Sequence, residues 1–162
     1  KNSKRKRSKF LTGAVVGVIL SMLTFASTAN SEDKYEVVKL GSVFTNTKYC
    51  YAMAINNNGQ VTGYCMENVT NDRQSFLWTD GELENLGTIS RGNGAVASDI
   101  NDLGQIVGWS KDFRDDMRVF LWEDGIMSDL GYGSAQGISN LGVIVGQVYG
   151  DAFVFIPCTE AL

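Results

Sequence analysis

Histidine is absent from the 162 residues, and proline occurs once. Without an imidazole the chain can form no Ser-His-Asp or Cys-His catalytic unit of its own, and no zinc site that uses histidine. The three cysteines, Cys50, Cys65 and Cys158, are too scattered to supply a Cys-x-x-Cys clamp instead. A glycine-rich phosphate loop is also missing, because the glycines fall at turn positions rather than between a strand and a helix. Basic residues are scarce after the first few positions. Six of the fourteen Lys and Arg lie in residues 1–9, so residues 30–162 hold eight bases against eighteen acids, a net charge of −10. A chain that acidic has no means of holding a phosphate backbone, which argues against nucleic acid as a partner. Carboxylates remain as the one catalytic resource. No Asp or Glu pair is singled out by its spacing, and no cofactor or metal is implied.

What is present begins with a segment unlike the rest. Residues 1–9 are basic, residues 10–25 carry no charge, and Ala26-Ser27-Thr28-Ala29 are small. That three-part plan predicts a signal peptide over residues 1–29, cleaved after Ala29. Sixteen uncharged residues are short for a bilayer core, which takes about twenty, so no stable membrane insertion is expected after cleavage. The expected location is outside the cytoplasm, either secreted or periplasmic.

Residues 30–162 are expected to form one repeat domain. Three segments align: Ala54-Ile55-Asn56-Asn57-Asn58-Gly59-Gln60-Val61-Thr62-Gly63, Asp99-Ile100-Asn101-Asp102-Leu103-Gly104-Gln105-Ile106-Val107-Gly108, and Gly137-Ile138-Ser139-Asn140-Leu141-Gly142-Val143-Ile144-Val145-Gly146. A second block follows in each copy: Phe76-Leu77-Trp78, Phe120-Leu121-Trp122, and the weaker Phe153-Val154-Phe155. A third block, Asn85-Leu86-Gly87 and Asp129-Leu130-Gly131, closes the first two copies. The first block predicts a hairpin built on a type I turn with glycine left-handed at a bulge, capped by the Asn or Ser side chain. In that register Ile55 faces Val61, Ile100 faces Ile106 and Ile138 faces Ile144. Asp80-Gly81 and Asp124-Gly125 predict tight turns of a second hairpin.

The fold class that follows is all-β, with tandem four-stranded copies in a propeller-like arrangement. Repeat one spans residues 50–87, repeat two 95–131, and repeat three, which is incomplete, 134–157. A β-trefoil with three pseudo-symmetric copies is the structural alternative, and association of two or three chains into a larger ring is a third arrangement. An N-terminal strand over residues 35–41 matches the strand missing from repeat three and is expected to close the ring.

The three blocks in this order resemble the HAF repeat proteins, whose pattern runs Ala-x-x-Ile-Asn-x-x-Gly-x-Val-Val-Gly, then Ala-Phe-Leu-Trp-x-x-Gly, then Asp-Leu-Gly. Ser139 and Phe155 depart from it. The resemblance implies an exported bacterial protein with propeller-like repeats and no assigned biochemical activity.

Candidate binding residues are sought where the copies differ. Tyr64 and Trp109 follow the strand glycine in copies one and two, where copy three has Gln147, so an aromatic is not required there for the core. Tyr132 and Tyr149 lie in connections and can join the same surface. Asp112, Asp115 and Asp116 crowd one loop, though the alternating acids and central glycine of a calcium loop are absent. Trp78, Trp122 and Phe155 share one repeat position and are read as core. One disulfide is expected among Cys50, Cys65 and Cys158. In the hairpin register above Cys65 opposes Tyr51, so pairing it with Cys50 needs a further bulge or a two-residue loop. The functional expectation is an exported, non-enzymatic module that binds an unknown protein or glycan. The alternative is a carbohydrate-binding protein or a carboxylate-dependent carbohydrate-active enzyme.

Overall fold

The computed structural model describes residues 35–41 and 46–158. The expected signal peptide, residues 1–29, lies outside them. The architecture below concerns the unit Val38–Leu162.

The protein is all-β, with three separate antiparallel sheets. The first runs in chain order through β1 (Thr47–Ile55), β2 (Val61–Glu67), β3 (Arg73–Thr79) and β4 (Glu82–Asn85). A 3-10 turn, Ile89–Arg91, leads to the second sheet: β5 (Ala95–Ile100), β6 (Ile106–Lys111), β7 (Met117–Glu123) and β8 (Ile126–Tyr132). The third has only β9 (Ser134–Ile138), β10 (Ile144–Val148) and β11 (Asp151–Phe155). Among the described residues no strand pairs outside its own copy. Residues 35–41, expected as the fourth strand of the third sheet, carry no strand, and β11 is an edge. The Tyr-Glu-Val-Val alternation supplies strand propensity alone, and a strand is made by a partner's backbone.

The hairpin turns are as expected. Asn56, Asn101 and Ser139 each close the same turn, with Gly59, Gly104 and Gly142 left-handed at φ of 78°, 81° and 74°. The expected pairs Ile55 with Val61, Ile100 with Ile106 and Ile138 with Ile144 are all present. Asp80-Gly81 and Asp124-Gly125 have positive φ throughout, as a tight hairpin turn requires. In the third block, Asn85 and Asp129 accept the amide hydrogens of Gly87 and Gly131 at 2.9 Å, which turns Leu86 and Leu130 inward at the strand end.

A second irregularity recurs in all three copies. Each first strand bulges at the same place, skipping Met53, Ser98 and Gln136. In the first sheet this is the further bulge that brings Cys65 opposite Cys50, and the two form a disulfide. Cys158 is free and exposed. The disulfide closes a segment with a sequence separation of 15, and cross-links of that span are worth about 3 kcal/mol. Reduction is therefore expected to lower the urea midpoint in a chemical denaturation series, by up to about 3 kcal/mol of stability. A Cys50→Ser/Cys65→Ser chain should show the same loss and no further response to reductant.

The sheets stack face to face, and the Phe-Leu-Trp block shows why. Successive residues of a strand point to opposite faces. Phe120 and Trp122 therefore join Ile100 and Ile106 against Leu77, Leu86 and Ile89 on one side. On the other side Val107, Val119 and Leu121 meet Ala135, Ile138, Ile144, Phe153 and Phe155 of the third sheet. Among the described residues only the second sheet has another sheet packed on each face, and its strands are apolar at consecutive positions. Each large side chain so buried contributes about 1.5 to 3 kcal/mol.

Polar groups add a second connection between sheets. The Asn56 Nδ2 donates to the Asn101 carbonyl, and the Asn101 Nδ2 to the Ser139 carbonyl, both at 3.0 Å. Asn56 and Asn101 are buried. The three turns consequently form one row. Alongside it the Asn57 amide donates to Asp102 and the Asp102 amide to Asn140, each at 2.9 Å.

Candidate functional site

Each copy's slack sits in its connections, as the unequal repeat spacing predicts, and those connections build the surface that differs between copies. β8 passes to β9 through a single residue, Gly133, whose φ is 124°. A β-carbon there would lie 2.4 Å from the Gln147 carbonyl oxygen, so only glycine admits this close crossing. In copy three the β10–β11 turn is Tyr149-Gly150, both at positive φ. The two short connections place Tyr132 and Tyr149 side by side, with ring centroids 5.8 Å apart and planes inclined by 35°.

Those two rings line a cleft of about 330 Å³ between the second and third sheets. Asp116, Ser134 and Gln147 supply its polar wall, and Met117 an apolar one. Arg118 backs it, with its guanidinium 4.2 Å from the Tyr132 ring centre and its Nη2 2.9 Å from Asp129. Hydrogen bonding to Asp129 pushes the Arg118 pKa up, which keeps it a cation.

The other sequence candidates fall into two groups. Tyr64 and Trp109 are both half-buried and are joined by Arg73, whose guanidinium lies 5.7 Å from one ring centre and 5.5 Å from the other. Tyr51 stacks on Tyr64 at 5.1 Å. Tyr64 and Trp109 thus clamp a cation of the chain itself. The acidic loop is explained by its turn: the Asp112 carboxylate accepts the amide hydrogens of Arg114 and Asp116, Asp115 is left-handed, and Lys111 pairs with Asp115 at 2.7 Å. Only Asp116 of the three lines the cleft. Among the described residues no group of three or more Cys, Asp or Glu is placed to hold a metal ion.

A second cleft, on the first sheet, is lined by Asp80, Glu82 and Glu84. All three come from one hairpin, so its carboxylates do not arise from two opposed walls. Asp102 has a different role. The Asn57 amide hydrogen, then the side chains of Asn57 and Asn140, hold its carboxyl below the usual range, and it serves the row of turns.

No protein family, curated protein or solved structure matches the chain. The cleft must be read from its own chemistry. No helix among the described residues is long and apolar enough to cross a membrane. Sequence reasoning named Tyr132 and Tyr149 as residues able to join a binding surface, but missed Arg73, Arg118 and Gln147. No sequence signal marked the two arginines: Arg73 and Arg118 have no aromatic neighbour in the chain, and strand pairing brings the rings to them.

Proposed function

We propose that this chain is an exported, non-enzymatic binding module, and that the cleft between its second and third sheets takes a carbohydrate. One observation carries the reading: two neighbouring tyrosine rings stand beside Asp116, Ser134 and Gln147. Flat rings offer the apolar face on which sugar C–H groups stack. Carboxylate, amide and hydroxyl groups beside them provide acceptors and donors for sugar hydroxyls. The volume suits one or two sugar rings.

The setting supports export. Residues 1–29 have the plan of a cleavable leader, and the Cys50–Cys65 bond is compatible with an oxidising compartment. Face-to-face stacking of sheets that never exchange strands favours a propeller-like array over a trefoil, and the repeat blocks resemble the HAF pattern.

Retention on a glycan panel tests the binding. Tyr132→Ala and Tyr149→Ala are each expected to weaken retention about five- to twelvefold, in line with loss of one aromatic contact of about 1 to 1.5 kcal/mol. Trp109→Ala, in the arginine clamp, should leave it unchanged. Absence of any retained glycan would sink the reading, and hydrolysis of the panel would replace it with the carboxylate-enzyme alternative.

A further inference from the structure

One charged residue, Asp116, lines the cleft between the second and third sheets. The turn before β7 holds its backbone on both sides: its amide donates to the Asp112 carboxylate at 3.1 Å, and its carbonyl accepts the Asp112 amide at 3.0 Å. The Asp116 carboxylate takes part in neither bond, and it has no hydrogen bond or ion pair among the described residues. The cations of the same loop and of β7 are engaged elsewhere. Lys111 pairs with Asp115, Arg118 with Asp129, and Arg114 lies over the Phe113 ring.

The tyrosines add a second unmatched feature. The face of an aromatic ring is electron-rich and attracts cations. This chain uses that attraction repeatedly: Lys48, Arg73, Arg114 and Arg118, four of the eight bases after residue 29, each lie against a ring. Arg118 takes Tyr132. Tyr149 is 83 % exposed and carries no such cation among the described residues.

A free carboxylate and a free ring face in one cleft call for a ligand that sets a positive charge beside apolar C–H surface. Resting on the carbohydrate reading above, we propose that the cleft selects a sugar bearing a free amino group, its ammonium held by Asp116 and its ring stacked on the tyrosines. A protonated amine gives the carboxylate a charge-assisted hydrogen bond and the rings a cation. Acetylation turns that amine into a neutral amide and removes both attractions. The net charge of −10 over residues 30–162 acts in the same sense at longer range, drawing in a cationic glycan and repelling an acidic one.

Calorimetric titration with a glucosamine disaccharide and with its N-acetylated counterpart tests this. The unaltered chain is expected to bind the free amine about five- to tenfold more tightly at low salt, the range of one partly exposed charged contact. High salt should shrink the preference. Asp116→Asn should bring the two disaccharides to the same Kd. Asp115→Asn removes the same charge from the same loop, but that carboxylate pairs with Lys111 outside the cleft, so the preference should survive. Equal Kd values for the unaltered chain, or tighter binding of the acetylated sugar, would overturn the amino-sugar proposal and leave the carbohydrate reading standing. Loss of the preference in Asp115→Asn as well as in Asp116→Asn would overturn it too, because net charge alone would then account for the selection. Binding of neither sugar would remove both.

Discussion

Gly108→Ala is expected to destabilise the protein by about 4 kcal/mol, above the range of about 1 to 3 kcal/mol usual for overpacking a buried site, because the added carbon meets backbone. The second sheet is covered on both faces, and Gly108 is buried in its second strand. A β-carbon at Gly108 would stand 1.9 Å from the Val96 carbonyl oxygen and 3.0 Å from the Phe120 ring. The first contact is with backbone, so no rotamer change relieves it. Its cause is the bulge at Ser98, which tilts that strand's carbonyl toward β6. Gly63 and Gly146 face the same obstruction, from the carbonyls of Tyr51 at 1.9 Å and Ser134 at 2.2 Å. Urea denaturation read by tryptophan fluorescence measures the effect. At a slope of about 2 kcal/mol per molar the midpoint should fall by about 2 M. The contrasting variant is Gly59→Ala, where nothing lies within 4 Å but φ is 78°. Its expected loss is about 1 kcal/mol, the cost of a left-handed alanine. Equal losses at Gly59 and Gly108 would show that the sheet absorbs the extra carbon, and that the repeated glycine is not dictated by the bulge.

The second large effect is expected at Asn101. Its side chain accepts hydrogen bonds from the amides of Leu103 and Gln105 at 3.0 Å, and donates to Gln105 Oε1 at 2.7 Å and to the Ser139 carbonyl at 3.0 Å. It is buried, so what alanine leaves behind is not fully rehydrated. With about 1 kcal/mol per bond and partial relaxation, Asn101→Ala should cost about 3 kcal/mol. Ser139→Ala removes only the turn cap, bonds of 3.3 and 3.1 Å at an exposed site, and should cost about 1 kcal/mol or less. The difference between the two variants measures the bond between sheets. Matching losses would confine the role of Asn101 to its own turn.

These two sites divide the legible from the illegible. Asn101 and Gly104 declare their turn in sequence, because a capping side chain and a left-handed glycine act within five residues of chain. Its second role, donating to the next copy's turn, has no local signature. Gly108 was visible as a repeated residue, yet its reason lies in a bulge on the neighbouring strand. The bulged positions are Met53, Ser98 and Gln136, which share no chemistry and so left no pattern to read. The same bulge decided the cysteines. The turn alone sets Cys65 against Tyr51, and one skipped residue moves it to Cys50.

The candidate site divides in the same manner. Tyr132 and Tyr149 were picked out as non-repeating aromatics, but they are 17 positions apart in the chain, and it is the one-residue crossing at Gly133 that sets them side by side. Tyr64 and Trp109 were chosen on equal grounds, and the fold placed Arg73 between them. Asp112 and Asp115 were absorbed by their own turn.

By itself the sequence determined the repeat blocks, the turns and the residue pairs nearest each turn, because hairpin register depends on turn chemistry and on apolar partners a few residues apart. Tertiary structure alone decided which faces are covered, which aromatics meet and that residues 35–41 add no strand. Stacking depends on how far each connection lets one sheet approach the next, and that distance is set by backbone geometry rather than by the identity of any one residue.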